Sequence, residues 1–290
     1  MFKKIALVAV AALTLSFSAI APASAATTTL TAGSTVVTTG TTSATAIELP
    51  VPADNKVDTA DVLEIALAGV ATDTTVTATA TNAFLVSATS TVDRPVAADA
   101  GKATASVATG TGTTAKFYVY TTSTTVGTVV VTLGATSTTY YVKGIAGALN
   151  NITVSTPANA ALGTVAKLAV AGTDVFGNPV SGAVIRLQVI EATATNSYDL
   201  TTGSTGIASR DFSAAAIQTV DLIATATVAT AVTGLKAPLG FVKAQFKVVD
   251  LTAALAAKDA EIAALKAKYN SLAKKYNKHV AKKYQVTLVK

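Results

Sequence analysis

The chemistry open to this chain is bounded by a short inventory. It has one histidine, His279, no cysteine and no tryptophan, and its one methionine is Met1. A nucleophile–base pair would have to recruit His279, which stands among lysines in "KKYNKHVAKKY". Neighbouring cations disfavour its protonation, and an exposed ring lacks the third group that orients a general base. Zinc needs three or four His, Cys or carboxylate ligands, and only one His is available. The sequence contains no G-x-x-x-x-G-K-[ST] phosphate loop and no G-x-G-x-x-G between a strand and a helix.

Carboxylates remain. Asp54, Asp58, Asp61 and Glu64 gather in "PADNKVDTADVLE". Hard oxygen ligands on a loop suit Ca²⁺, so Asp54, Asp58 and Asp61 are candidate calcium ligands. Their spacing fits no EF-hand loop, because no glycine supplies the sharp turn. The competing reading is a solvated loop entering a strand. Asp174 and Asp211 flank strands and are assigned to turns. A paired-carboxylate hydrolase would lack the tryptophan on which sugars stack. The expectation is a non-enzyme with no catalytic residues and no cofactor beyond calcium.

The elements that would position these residues read as β. Threonine occurs fifty times, and only two of the fifty lie after residue 250. Its branched Cβ, like that of Val and Ile, suits a pleated, half-buried surface. "DVLEIALAG" sets Leu63, Ile65 and Leu67 on one face. "VAKLAVAG" does the same with Ala166, Leu168 and Val170, "GAVIRLQV" with Ala183, Ile185, Leu187 and Val189, and "FVKAQFKVV" with Val242, Ala244, Phe246 and Val248. Alternation with one apolar face marks sheets packed on one side. "TTVTATAT", "AKFYVYTT", "VGTVVVTLG" and "TTYYVKG" are further strands, and "ELPVPADNK" reads as a proline-bearing loop. Phe117, Tyr118 and Tyr120 form either a sugar-stacking platform or part of a core or edge strand. The absence of cysteine leaves burial as the source of stability.

One stretch carries a family resemblance. In "GTDVFGNPVSGAVIRLQV", Asp174 can bond the backbone two residues on, Gly177 and Asn178 tolerate positive φ, and Pro179 opens the next strand. "TTGSTGIASRDF" follows. Through Asp174, Gly177, Asn178, Pro179, Val180, Gly182, Ile185 and Leu187, then Thr202, Gly206 and Ala208, the pattern resembles the bacterial immunoglobulin-like domains of the invasin and intimin type. It departs at Gly203, where the family usually has Asp. The resemblance covers residues 148–250, about a third of the chain, and implies an Ig-like sandwich of the kind that serves as a rigid spacer or adhesin stalk. With the low charge, the threonine and the absent cysteine, the whole resembles surface-layer and adhesin proteins.

Both ends differ from this body. Lys3 and Lys4, the apolar run Ile5–Ile20 and the small residues Ala23-Ser24-Ala25 form a signal peptide with predicted cleavage after Ala25. No later segment is long and apolar enough to span a membrane, no cysteine offers a lipid anchor, and no LPxTG-type sorting sequence occurs. Residues 26–250 hold 11 basic and 14 acidic side chains, whereas 251–290 hold nine lysines and two acids. The basic charge of the chain therefore belongs to its tail.

That tail reads as a helix from 251 to about 283, capped by Asp250. Leu255, Ile262, Tyr269 and Tyr276 fall at heptad position a, and Leu251, Leu265 and Leu272 at d, with Lys258 and His279 as polar exceptions. These seven apolar residues are the candidate oligomer seam. In a parallel homo-oligomer Glu261 would meet Lys266 of a neighbour, but the later lysines meet no acid. Lys268, Lys274, Lys275, Lys278, Lys282 and Lys283 are accordingly candidate contacts for an anionic cell-wall polymer. The tail has no arginine and the protein reads as exported, which argues against nucleic acid. "YQVTLV" alternates like a short terminal strand.

The expected fold is mainly β: a signal peptide (1–25), a Thr-rich β-sandwich (26–147), an Ig-like β-sandwich (148–250) and a basic, coiled-coil-like helix with a short terminal strand (251–290). The expected function is that of a secreted, non-enzymatic cell-surface structural protein, surface-layer-like, assembled as a homo-oligomer or attached to the wall through the helix. The alternative is an adhesin or carbohydrate-binding module with its site on the N-terminal sandwich.

Overall fold

The computed structural model describes residues 26–54, 56–86 and 101–289, with the side chain of Lys283 outside the described set. The expected signal peptide therefore lies outside the described residues. Up to residue 249 the described chain is built of strands with two short 3-10 turns, and one long helix follows.

It divides into two compact units that are not contiguous in sequence. The first takes in residues up to Asn151 together with Thr173–Val180 and Val228–Pro238. The second takes in Ile152–Gly172, Ser181–Thr227 and Leu239–Lys290.

In the first unit the strands are β1 (Thr27–Ala32), β2 (Thr35–Val37), β3 (Ile47–Pro50), β4 (Leu63–Ala68) and β5 (Thr75–Thr81), then β6 (Phe84–Val86), β7 (Thr104–Ala108), β8 (Thr114–Tyr120), β9 (Gly127–Leu133) and β10 (Thr136–Ile145). They form two five-stranded sheets, ordered β2-β1-β4-β8-β6 and β3-β10-β9-β5-β7. Leu63, Ile65, Phe117 and Val119 from one sheet and Leu49, Val76, Val129 and Val142 from the other share one buried cluster. This is the sandwich that the alternation in "DVLEIALAG" predicts. Residues Glu48–Pro50, which the prolines mark as part of a loop in the sequence, instead belong to the edge strand Ile47–Pro50, which runs parallel to β10. Pro50 is tolerated there because an edge strand has one side free of the ladder.

The second unit contains β11 (Asn151–Ser155), β12 (Asn159–Ala161), β13 (Ala166–Thr173), β14 (Val184–Ile190), β15 (Thr195–Thr201), β16 (Ile207–Phe212), β17 (Thr219–Thr225) and β18 (Phe241–Val249), the terminal residues of β11 and β13 falling in the first unit. Its sheets are ordered β11-β13-β16 and β12-β18-β17-β14-β15. On the faces that alternation selects, Leu168 and Val170, Ile185, Leu187 and Val189, and Phe246 and Val248 are buried, while Ala166, Ala183, Val242 and Ala244 are half-buried. Thr202 of the motif is buried, and its hydroxyl accepts the Ala183 N–H at 2.9 Å, pinning the strand-entry turn.

The Asp174 turn is a dense polar knot within the first unit. Asp174 Oδ1 accepts from the backbone N–H of Phe176 and of Asn178, both at 2.9 Å. Its Oδ2 accepts from Gly147 N at 3.1 Å and from Asn178 Nδ2 at 2.9 Å. Asn178 also donates to Thr122 O and accepts from Thr124 N. Gly177 takes a φ of +90°, which a side chain would strain. Asp174 is only 1% exposed, so losing its carboxylate would leave buried donors without partners. Asp174→Ala is expected to destabilise the first unit by about 3 kcal/mol. Chemical denaturation of the variant beside the parent measures this, and a loss under about 1 kcal/mol would mean the knot is dispensable.

Candidate functional site

The helix α1 (Leu251–Asn277) follows β18 with one intervening residue. That residue, Asp250, caps it: its Oδ1 accepts from Thr252 N at 2.9 Å and Ala253 N at 3.0 Å. The helix ends at Asn277, six residues short of the expected end, and a short 3-10 turn follows at Lys282–Tyr284. The reason lies in the chain beyond it.

Residues 285–289 are extended but pair with no described strand. They lie back along the helix, held by two asparagines seven residues apart. Asn277 accepts from Val286 N and donates to Val286 O, both at 2.9 Å. Asn270 makes the same pair of bonds to Val289, again at 2.9 Å each. Each amide thus stands in for the backbone of a neighbouring strand. Tyr269 Oη adds a bond to Thr287 O, and Gln285 Nε2 one to Asn277 O. Ala273, between the two asparagines, is the one buried residue of the helix. The sequence carries the signal as the repeat "KYN", "KKYN", in which the tyrosines draw attention and the asparagines do the holding.

The predicted seam residues are all uncovered. Leu251, Leu255, Ile262, Leu265, Tyr269, Leu272 and Tyr276 are between 43% and 67% exposed. Heptad geometry puts them on one stripe, with the strap on the flank of positions b and e beside it. Lys268, Lys274, Lys275 and Lys278 are exposed at positions g, f and c, and Lys282 is exposed in the turn after the helix. Lys274 and Lys275 also sit in the last helical turn, where the macrodipole favours cations. No helix among the described residues is long and apolar enough to cross a membrane.

The acidic loop is organised as a cap. Asp58 Oδ1 accepts from Ala60 N at 2.8 Å, and Asp61 Oδ2 accepts from Asp58 N at 3.2 Å, a reciprocal capping box around the 3-10 turn Thr59–Asp61. Asp54 Oδ1 accepts from Lys56 N at 3.0 Å. Among the described residues no cluster of three or more His, Cys, Asp or Glu is placed to hold a metal ion. Burial, with smaller contributions from the charges of Asp58 and Asp54, pushes the Asp61 carboxyl up to about 6, against a lowering by its bond from the Asp58 backbone.

The aromatic residues considered as a sugar platform do not form one. Phe117 and Tyr120 are buried, Tyr120 stacked on Phe84 at 5.2 Å and accepting the Gly101 N–H at 3.2 Å. A recess of about 470 Å³ beside β3 is lined by Ser34, Thr35, Glu48 and Thr59 with no aromatic side chain. A smaller cavity of about 80 Å³ in the first unit is lined by Asn150 and Asp174, and Asn150 Oδ1 is buried there without a hydrogen-bond partner.

Because the folded-state pKa of Asp61 lies above its ordinary value of 3.8, its favourable contribution is complete below about pH 4 and is lost as pH rises through about 6. Half-exposure screens the effect, leaving about 1 kcal/mol. Asp61→Asn, which keeps an acceptor for the Asp58 N–H, should gain that stability at pH 7.5 and flatten the pH 4–7 profile of the melting temperature. An unchanged profile would refute the assignment. For the strap, Asn270→Ala with Asn277→Ala should speed amide exchange at Val286 and Val289 about tenfold while leaving the strands unchanged. Equal exchange in parent and variant would show that the clamps hold nothing.

No protein-family model matches the chain, and no curated protein matches it. Solved structures do. Invasin, a bacterial integrin-binding protein, aligns at 12% identity over 78% of this chain with a TM-score of 0.34, and the chain spans 39% of that structure. The D00-D0 domain of intimin aligns at 9% identity over 70% of this chain and 99% of its own, with a TM-score of 0.30. Domains 4 and 5 of the S-layer protein SbsC align at 20% identity over 43% of this chain and 65% of theirs, with a TM-score of 0.24. The mainly β architecture rests on the sheets themselves, and the Ig-like resemblance on the residues around Asp174.

Proposed function

We propose that this chain is a secreted, non-enzymatic structural protein of the cell surface, surface-layer-like, assembled or attached to the wall through its C-terminal helix. The observation that carries the reading is the uncovered seam. Seven apolar side chains follow a heptad on a helix that the described residues leave exposed. Leu, Ile and Tyr at heptad spacing gain stability when the stripe is covered, so the stripe favours a partner. The lysine face beside it suits an anionic wall polymer. The sandwiches supply no histidine or cysteine, so they offer no Ser-His-Asp or Cys-His pair and no His- or Cys-ligated zinc site. The alternative, an adhesin or carbohydrate-binding site on the first unit, gains no support from Phe117 and Tyr120, which lie in the core.

Light scattering of chains 26–290 and 26–249 at several concentrations tests the reading. A discrete oligomer for the long chain and a monomer for the short one is the expected result. Monomers of both would remove self-assembly, and failure of the long chain to bind isolated cell envelopes would then remove attachment as well.

A further inference from the structure

The charge along the helix is polarised. From Asp250 to Ala264 there are three acids, Asp250, Asp259 and Glu261, against the single Lys258, which pairs with Glu261 of its own helix at 2.7 Å. From Leu265 to Asn277 there are four lysines and no acid. A parallel pair would lay the two lysine-rich halves side by side. An antiparallel pair lays each on the acidic half of the other, and opposes the helix dipoles as well.

We propose that two copies of this chain pair through the exposed stripe as an antiparallel helical dimer in one fixed register. This rests on the assembly reading above and specifies its partner and geometry. In an antiparallel pair each a residue faces a d residue of the other helix, and the flanks meet e to e and g to g. One register sets Ile262 against Leu265 of the second copy and Leu255 against Leu272. Leu251 then meets Tyr276. The polar exception Lys258 falls against the ring of Tyr269, a contact that suits an ammonium.

The flanks select that register. It sets Asp259 against Lys266 and Glu261 against Lys268, each twice by symmetry. A slip of one heptad in one direction would set Lys266 and Lys268 against themselves, and a slip in the other would set Asp259 and Glu261 against themselves. Like charges at these positions repel. Parallel pairing satisfies only Glu261 with Lys266. The strap fits the same arrangement. It covers the flank at Ala273, and the facing residues at the start of the second copy's helix, Thr252 and Ala256, are small.

The absence of native cysteine makes the test direct. Chain 26–290 is prepared as Lys258→Cys and as Tyr269→Cys, and each is oxidised mildly alone and after mixing. The antiparallel register predicts a disulfide-linked dimer in the mixture and not in either variant alone. Identical positions are then separated by about 16 Å along the axis, beyond disulfide reach. Crosslinking of Lys258→Cys with itself would mean parallel pairing and would overturn this inference while sparing assembly. Monomers by light scattering, without crosslinks, would overturn both. A second measurement avoids new cysteines. Glu261→Lys should weaken dimerisation about tenfold at low salt, and Glu261→Lys with Lys268→Glu should restore it. Failure of the double reversal to restore affinity in a chain that still dimerises would also overturn the register.

Discussion

A Leu, Ile or Phe side chain gains about 1.5–3 kcal/mol on leaving water, and along this helix seven apolar residues forgo that gain in the single chain. The β units show what the gain does when it is taken. Leu49, Leu63, Ile65, Ile185, Leu187 and Leu222 are each fully buried, and no disulfide holds them there. The sandwiches are therefore complete as they stand, with inner faces covered by each other. The helix is not complete. Its N-terminal half is rich in alanine, which favours helix without requiring a core, and Asp250 satisfies two of its first free N–H groups. Such a helix can form before its stripe is covered.

The strap adds a second constraint. A lone extended segment has backbone donors and acceptors with no ladder to join, and water is the usual answer. Asn270 and Asn277 provide another. Spaced by seven residues, they stand two turns apart on one flank, about 10 Å, and Val286 and Val289, three extended residues apart, span about the same distance. The match lets two amides grip one extended chain without bending it. Because the flank is b and e, the strap lies beside the stripe and leaves it free. Tyr269 serves both surfaces: its ring belongs to position a, and its hydroxyl reaches the strap.

Much of this is legible in the amino-acid order alone. Period-two alternation identifies the buried faces at Leu63–Leu67, Ile185–Val189 and Phe246–Val248, because a residue on the wrong face of a sandwich would face water. Asp174 is legible as a turn residue, since its bond to Phe176 N is local. Its bond to Gly147, 27 residues away, is not, because nothing in the spacing brings the two together. Strand β3 is hidden because two prolines in "ELPVP" suggest a loop, and only its place at a sheet edge makes Pro50 acceptable. Phe117 and Tyr120 lie on the same strand as Tyr118, and alternation alone leaves open which of them faces inward. Tyr120 is buried despite sharing its parity with Tyr118, because a small second cluster with Val57, Val62 and Val86 closes over the end of the strand.

The helix divides its perimeter among three tasks, and the division explains its odd composition. One flank holds the chain's own end, one stripe is apolar, and the g, c and f positions of the C-terminal half carry lysine. A helix built only to bind an anionic surface would gain from lysines throughout its length, and Asp259 and Glu261 would oppose it. A helix built only to stack in parallel would gain from acids opposite Lys268 and Lys275, and the sequence offers Ala273 and Val280 at those e positions. Acids confined to one half, and lysines apart from Lys258 confined to the other, are costly in both of those designs. They become favourable when the two halves meet across a twofold axis, where Asp259 meets Lys266 and Glu261, which already pairs with Lys258 of its own helix, also meets Lys268. In that pair Lys274 and Lys278 lie outside the seam, and Lys275 faces the uncharged Ala254 of the other copy.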